Sequence, residues 1–589
     1  MSSSINYYKQ QKDTYFNLAQ NRSKQMRWLS ILRLAIFVLT GFGVYLSRSN
    51  WQVATIITVV GVVAFLYVLL RYNSIKKNRD FNRALVNVNE DEIKIASGDF
   101  FDRNDGLKHQ DPKHFYSLDI DLFGRGSFFQ FINRTTIPEG EHKLAAALKA
   151  NNIAQITTRQ EAIKELSAKA KWRQYFTANS SFVNVEVPEK TIIKWLKNYN
   201  PFLSKAIQWL PLLFTIITTA ILGLTFLKIL NPEFIGYWLF IGLGISGIYL
   251  KKINALSAGV DRVKDTFRQY VLLLDLIENE NFTSALLKQK KKQIELERKK
   301  ASVIFKDFSR AIDALDNRNN MIGAIFGNGF FLTDIKNSYR IEKWIVQYGE
   351  KVSHWFDAIS FFDAYNSLGG FVFNHPEFVF PEITKDHQKI KIQNLGHPML
   401  NKNKRVDNNL HINNHDFFIV TGANMAGKST FLRSVALHIV MANVGLPVCA
   451  SKAEYMPVKL ITSMRTSDSL VEDSSYFFAE LTRLKYIVDT IKDTPYFIVL
   501  DEILKGTNSV DKAQGSKKFI EKLVASQATG IIATHDLSLC DIEEQLNQVH
   551  NYYFDAEIIE DELYFDYKFK KGICEKMNAS FLLKKMNII

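Results

Sequence analysis

Three short stretches in the C-terminal part of the chain carry residue types that together handle a polyphosphate. Gly422-Ala-Asn424-Met425-Ala-Gly427-Lys428-Ser429 fits G-x-x-x-x-G-K-[ST], and Thr430 follows it. An apolar run, Phe417 to Val420, leads into the loop and a helix-forming segment leaves it, which is the strand–loop–helix context a phosphate-binding loop requires. The glycines let backbone N–H groups close around a phosphate, and the helix N-terminus adds its partial positive charge. In such a loop Lys428 reaches the β- and γ-phosphates of ATP and Ser429 holds Mg²⁺. The second stretch, Pro495 to Glu502, is a hydrophobic strand ending in two carboxylates. Asp501 there holds Mg²⁺ through its water shell, and Glu502 polarises an attacking water. The third, Gly530 to His535, ends a further apolar run in a histidine placed to sense the γ-phosphate or orient water. The expected nucleotide contacts are therefore Gly422, Asn424, Met425, Gly427, Lys428, Ser429 and Thr430. Glu502 and His535 are the expected catalytic groups, and Ser429 and Asp501 the Mg²⁺ ligands. Gly506-Thr-Asn-Ser509 with Asp511 reads as a polar loop suited to communication between sites.

The elements that must position these residues follow from the surrounding pattern. From about Phe371 short apolar strands (Ile390 to Ile392, Phe417 to Val420, Tyr496 to Leu500, Gly530 to Ala533) alternate with helical segments. That alternation predicts a mostly parallel sheet covered by helices. Residues 80–205 read as acidic and turn-rich at first (Asn89-Glu-Asp-Glu92, Asp102 to Asp105) and helical from Leu118, with a helix over Thr158 to Leu166 and beyond. Residues 253–370 read as mainly helical. Within them Leu287 to Lys300 is strongly cationic. It reads either as a surface for DNA phosphates or lipid headgroups, or as a solvated helix face or one arm of a long antiparallel helix pair. No aromatics interleave these lysines, which argues against a single-strand stacking surface.

Two pairs of long apolar runs interrupt the soluble pattern: Trp28 to Leu46 with Trp51 to Leu70, and Trp209 to Leu230 with Phe234 to Leu250. Each is close to the ~20 residues needed to cross a bilayer, so four membrane helices in two hairpins are expected. Arg22, Lys24, Arg27, Arg71, Lys76, Lys77 and Arg79 flank the first hairpin on one side; Lys194, Lys197, Lys205, Lys251 and Lys252 flank the second. The links between the paired runs, Ser47 to Asn50 and Asn231 to Glu233, carry a single cation, Arg48. By the positive-inside rule the N-terminus, the centre and the C-terminal half lie in the cytoplasm, which leaves little outside to act as a receptor. The start of the chain does not read as a cleavable signal peptide.

The boundaries that result are a cytoplasmic segment 1–27, hairpin 28–72, a helical segment 73–205, hairpin 206–252, a helical core or lever region 253–370, and an α/β domain 371–589. The fold class expected is multidomain: an α-helical core with four transmembrane helices plus a C-terminal α/β P-loop ATPase domain of ABC type. A formal net charge of +14 favours an anionic partner, nucleic acid or an acidic membrane face. Cys449, Cys540 and Cys574 lie far apart without C-x-x-C spacing, so neither a metal cage nor a disulfide framework is indicated, and a reducing compartment is expected.

These motifs resemble the MutS family of mismatch-repair ATPases. The likeness rests on Gly422 to Thr430, on Asp501-Glu-Ile-Leu-Lys-Gly-Thr-Asn-Ser509, and on Ala533-Thr-His535. Leu122 to Thr136 and Thr158 to Leu166 are similar to the start of the family's core domain, and Gly396-His397-Pro398 resembles the strand that opens its ATPase domain. Ser474-Ser475-Tyr-Phe-Phe-Ala-Glu480-Leu481 is similar to the family's serine segment. The resemblance implies that Ser475 contacts the γ-phosphate in trans, so that the working unit is a homodimer through the ATPase domains. It also implies binding of double-stranded DNA, here mainly through phosphates. The likeness covers roughly 115–200 and 340–589. The chain departs from the family in four places. It has no counterpart of the N-terminal Phe-x-Glu wedge, and the second hairpin falls where lever helices run. Leu504-Lys505 stands for Gly-Arg, and Asp473 for a small or polar residue. The expectation is a multi-pass protein of the bacterial inner (cytoplasmic) membrane that hydrolyses ATP. A membrane-bound switch or scaffold that does not act on DNA is the alternative. An ABC-type transporter is less favoured because no Leu-Ser-Gly-Gly-Gln motif is present.

Overall fold

The computed structural model describes residues 3–183, 187–295, 299–384, 389–423, 425–465, 476–492, 494–505, 507–559 and 562–574. The chain opens on two long helices, α1 (Ser3–Leu46) and α2 (Trp51–Ala96), paired as a hairpin whose turn is closed by Asn50, the side chain of which accepts from Gln52 and Val53 N–H. Polar and apolar parts share one rod: the apolar ends leave Trp28, Phe37, Trp51 and Tyr67 exposed, while the polar ends bury Tyr8, Tyr15, Leu85 and Glu92. The stretch Asn89 to Glu92, expected as turn-rich, lies inside α2, because both ends of it find buried partners. Glu92 accepts from Arg134 (Nε 2.7 Å) and from Asn374 Nδ2 (2.8 Å), and Gln174 Nε2 donates to Asn89 Oδ1 (2.8 Å).

A set of shorter helices follows: α3 (Phe128–Ile132), α4 (Pro138–Lys149), α5 (Ile156–Ala168), α6 (Ala170–Ser180) and α7 (Glu189–Lys197). The second hairpin is α8 (Leu210–Phe226) and α9 (Glu233–Asn279). Among the described residues four helices (the two of the first hairpin, Lys205–Phe226 and α9) are long and apolar enough to cross a membrane. Beyond its apolar half, α9 continues without a break into the helical core. There Leu256, Val260, Val263, Phe267, Tyr270, Leu274 and Ile277 recur at helical spacing and are buried. They meet α11 (Ala301–Asp316) and α13 (Thr333–Tyr348), with Phe308 stacked on Trp344 at 3.9 Å. Among the described residues the cationic stretch forms a short helix, α10 (Ala285–Lys292), rather than an arm of a long pair. Lys290 pairs with Asp357 at 2.9 Å, Lys291 donates to Glu280 O and Lys300 to Asn279 Oδ1, so these three side chains serve local packing. An apolar helix α12 (Met321–Phe331) lies between α11 and α13, and α14 (Val352–Asn374) is the buried spine that leads into the α/β domain.

The α/β domain has two main sheets. The smaller runs β1-β5-β2-β3, from β1 (Glu382–Ile383), β2 (Lys389–Leu395), β3 (Asn408–Asn413) and β5 (Lys452–Tyr455). The larger, six-stranded, runs β12-β9-β4-β8-β7-β6, from β4 (Phe417–Gly422), β6 (Lys459–Ser463), β7 (Tyr496–Asp501), β8 (Thr529–Ala533), β9 (Val549–Phe554) and β12 (Lys570–Lys571). Its inner strands are parallel and buried on both faces, as their continuous apolar runs require. A small ribbon, β10 (Glu557–Ile559) with β11 (Glu562–Tyr564), stands apart. The flanking helices are α15 (Lys428–Val444), α16 (Tyr476–Thr490), α17 (Ser509–Ala525) and the short α18 (Ile542–Gln545). The helical core covers the edge strand β6. Thr462 N–H donates to Phe115 O (2.9 Å), while Asn151 accepts from Leu460 N–H (2.8 Å) and donates to Leu460 O (2.9 Å). An edge that could pair with another chain is thereby used to join the two halves.

Candidate functional site

Register across the large sheet assembles the site. Val420 on β4 is opposite Ala533 on β8, and Ala533 is opposite Asp501 on β7. The loops that leave these strands therefore start in one row at the carboxyl edge of a parallel sheet, where ligands of such folds bind. Backbone bonds lock the row: Thr534 N–H donates to Val420 O (3.0 Å) and Glu502 N–H to Ala533 O (2.9 Å).

The loop after β4 needs its glycines. Gly422 has φ +147°, and a Cβ there would lie 2.6 Å from Phe554 O; Gly427 has φ +100°, with the Tyr567 ring 3.0 Å from where a Cβ would be. Met425, also left-handed at φ +65°, is exposed at the tip. Lys428 opens α15 and is buried. Its ammonium donates to Gly422 O (2.7 Å) and Ala423 O (2.9 Å) and lies 3.2 Å from His535 Nε2. Burial pulls the Lys428 pKa down, against the pull of Asp501 and Glu502. Ser429 and Thr430 line the same cavity from the first turn of α15, and Asp501 faces it from β7. Asn424 lies outside the described residues, as do Asp473 and Ser475.

Glu502 is held between two cationic or proton-bearing groups. Its carboxylate is 3.1 Å from His535 Nε2 and 3.5 Å from Lys505 Nζ. Burial and Lys428 keep the pKa of His535 below its usual value, with Glu502 opposing. A neutral imidazole offers one Nε2 to both neighbours, so it either donates to Glu502 or accepts from Lys428. Glu502 (φ +50°) and Leu504 (φ +60°) are both left-handed, a strained geometry for residues with side chains. The cavity enclosed is 710 Å³, walled on the far side by His397, Arg405 and Tyr567. Burial, with Arg433 and Arg405 nearby, pushes His397 down to about 4.

The structure thus brings together Gly422, Met425, Gly427, Lys428, Ser429, Thr430, Asp501, Glu502 and His535. Part of the polar loop serves the fold directly, since Asn508 caps α17 by accepting from Asp511 N–H at 2.8 Å. Gly506 lies outside the described residues.

Sequence reasoning missed Glu480. This buried carboxylate on α16 accepts from Leu504 N–H (2.6 Å) and Lys505 N–H (3.1 Å), and so pins the loop that carries Glu502. Its only signal was its place five residues after Ser475, in a stretch with no assigned geometry. Lys505, Tyr567 and Arg405 were likewise invisible as site residues, because only the fold brings them to the cavity. The fit to Mg–ATP is good. A desolvated ammonium stands over a glycine loop at a helix N-terminus, with a hydroxyl and a strand-end carboxylate beside it, as Mg²⁺ shared with phosphates requires.

Residues 418–584 match the family model for MutS domain V. The chain is 32% identical over 213 residues to human MutS protein homolog 4, covering 34% of this chain and 22% of that protein. It is 28% identical over 257 residues to DNA mismatch repair protein MutS of Staphylococcus haemolyticus, 42% of this chain and 29% of the relative. The MutS of Methanococcoides burtonii is 34% identical over 209 residues, 34% and 23% of the two chains. In each case the match spans less than a third of the relative's length.

Proposed function

Because this chain belongs to the MutS family through its C-terminal domain, we propose that it is a membrane-anchored ATPase. It works as a homodimer and couples the ATP cycle to the hold of its helical core on double-stranded DNA. The observation that carries the reading is the convergence of Lys428, Asp501, Glu502 and His535 at one sheet edge, within a cavity of 710 Å³.

In this reading Lys428 exchanges its contacts with Gly422 O and Ala423 O for the β- and γ-phosphates, which restore the compensation that burial removed. Backbone N–H groups of the loop and the start of α15 hold the β-phosphate. Ser429 and Asp501 hold Mg²⁺, which when bound draws charge from the phosphate oxygens. Glu502 takes a proton from water; the water oxygen bonds to the γ-phosphorus, and the bond to the β–γ bridging oxygen breaks, leaving ADP and phosphate. Neutral His535, 3.1 Å from Glu502, orients that carboxylate, and Glu480 fixes its loop. Ser475 of the second subunit completes the γ-phosphate site. The four apolar helices anchor the protein in the bacterial inner membrane with the ATPase in the cytoplasm, in line with the cationic flanks of both hairpins. α9 runs unbroken for 47 residues, about 70 Å, from its apolar half into the core, so it can transmit a change in the core to the membrane half as a rod.

The DNA part is tested by fluorescence anisotropy on detergent-purified protein, titrated with labelled matched, mismatched and branched duplexes. Salt is varied from about 50 to about 200 mM, with and without ATP. Binding that responds to ATP and weakens steeply with salt supports it. A second reading, a membrane-bound ATP-dependent switch that does not act on DNA, is favoured by the engagement of Lys290, Lys291 and Lys300 with protein groups. Absence of DNA binding by a protein that still hydrolyses ATP would select it.

A further inference from the structure

The helix α12 is uncharged, and its outer face has no cover among the described residues. No charged residue occurs between Arg318 and Asp334, yet Met321 is 75% exposed, Ile322 69% and Phe326 53%. Its inner face packs on the apolar halves of α8 and α9. Gly329 approaches Gly242 so closely that a Cβ on Gly242 would lie 2.3 Å from Gly329 O, and a Cβ on Gly329 would lie 2.9 Å from Leu239. The Thr218 hydroxyl is 2.7 Å from Phe330 O and accepts from Trp238 Nε1 at 2.8 Å. Thr218 and Gly242 each lie eight residues from the end of their apolar segment that faces the helical core, Leu210 and Leu250. At ~1.5 Å per residue that places the end of α12 about 12 Å along both segments.

From these contacts we infer that α12 is a fifth membrane-embedded element, a half-helix that enters the bilayer from the cytoplasmic side and turns back within it, its outer face covered by lipid acyl chains. The inference rests on the reading of α8 and α9 as membrane spans. An 11-residue helix is about 16 Å long, roughly half the ~30 Å hydrocarbon core, so it cannot cross. The chain accordingly reverses at Leu332, which is left-handed at φ +50°, and α13 leads back. A reversal at such depth has to satisfy its own backbone, because lipid offers no hydrogen bonds. It does so: Asn328 Oδ1 accepts from Asp334 N–H (2.9 Å) and from Thr333 Oγ1 (3.3 Å), while Phe330 O meets Thr218. Charge returns with Asp334, two residues past the reversal, whose carboxylate is paired: Arg318, which precedes α12, lies 3.5 Å from it and also donates to Asn254, two residues beyond Lys252. The glycine pair lets α12 sit against α9 at backbone distance, as small residues do between membrane helices.

The test uses the full chain reconstituted in phosphatidylcholine–phosphatidylglycerol vesicles, spin-labelled at one introduced cysteine at a time. The positions are Phe326→Cys and Ile322→Cys on α12, Ile241→Cys on the exposed face of α9, and Val346→Cys on the exposed face of α13. Collision with dissolved oxygen is compared with collision with a water-soluble nickel chelate. The expected result is oxygen in excess at Phe326, Ile322 and Ile241, with the ratio reversed at Val346. Oxygen excess at Ile241 with nickel access at both α12 positions would overturn the inference and leave the membrane spans standing. Exclusion of both colliders from α12 would overturn lipid as its cover. Nickel access at Ile241 as well would remove the membrane reading itself, and this inference with it.

Discussion

Glu480 is the group on which the placement of Glu502, the carboxylate proposed to act on water, depends, so its removal should be felt at a distance. Its carboxylate meets no substrate atom; it accepts from the N–H groups of Leu504 and Lys505. Hydrogen bonds to a charged acceptor contribute about 1.5–3 kcal/mol each, so the pair holds the loop with roughly 3–6 kcal/mol. Against this stand the left-handed conformations of Glu502 and Leu504, which cost on the order of 1–2 kcal/mol each. In Glu480→Ala that strain is no longer opposed, and Leu504 N–H is left buried without its acceptor. The fraction of molecules with Glu502 in place should fall about hundredfold, equivalent to about 2.7 kcal/mol. Glu480→Gln keeps one acceptor oxygen and should lose about tenfold, half that free energy. The assay is steady-state ATP hydrolysis beside equilibrium binding of a fluorescent ATP analogue. kcat should drop while nucleotide affinity stays close to wild type, because Lys428 and its loop do not touch Glu480. A Glu480→Ala protein with kcat within about twofold of wild type would refute the reasoning.

Three further outcomes are expected. Lys428→Ala should weaken ATP-analogue binding by about 100-fold, within the 2–5 kcal/mol range for truncating one member of a buried charge contact, as read by the same fluorescence titration. Asn151→Ala should destabilise the junction between helical core and ATPase domain by roughly 1–3 kcal/mol, since it strips two hydrogen bonds from the edge strand at Leu460, measurable by chemical denaturation. Burial pushes His438, inside α15, down to about 3. The unfolded chain, titrating near pH 6.5, binds the proton more tightly, so stability is complete above that value and is lost as pH falls towards 3. At pH 5 the loss is about 2 kcal/mol, and His438→Leu should remove that much of the difference between denaturation at pH 7 and pH 5.

The sequence carried the site's backbone but not its supports. Gly422 to Ser429, Asp501, Glu502 and His535 were legible because each ends an apolar strand, and parallel register then has to bring strand ends together. Glu480, Lys505, Arg405 and Tyr567 were not, because their positions depend on how α16 and the last strands fold over the sheet edge, which no local pattern encodes. The four long apolar runs were read from length alone. α12 escaped that reading because a largely apolar helix of eleven residues also suits a buried core; only its exposed face and its contacts with α8 and α9 distinguish it. The run of lysines from Leu287 left a surface for phosphates or headgroups and a solvated helix face both open, because charge density alone does not show that the chain sets Lys290 on Asp357 and Lys291 on a helix end.

The most direct test of the central claim, a dimeric ATPase whose sites are completed across subunits, is complementation between two inactive variants. Lys428→Ala destroys a subunit's own site but leaves its Ser475 to offer; Ser475→Ala keeps its own loop but offers nothing. Each homodimer should be inactive. Co-expressed at equal levels, about half the dimers are mixed, and each mixed dimer has one complete site, so about 25% of wild-type ATP hydrolysis should return. Recovery near that level is the predicted result. Full activity of Ser475→Ala alone, or no recovery in mixed dimers isolated through two different affinity tags, would contradict the account.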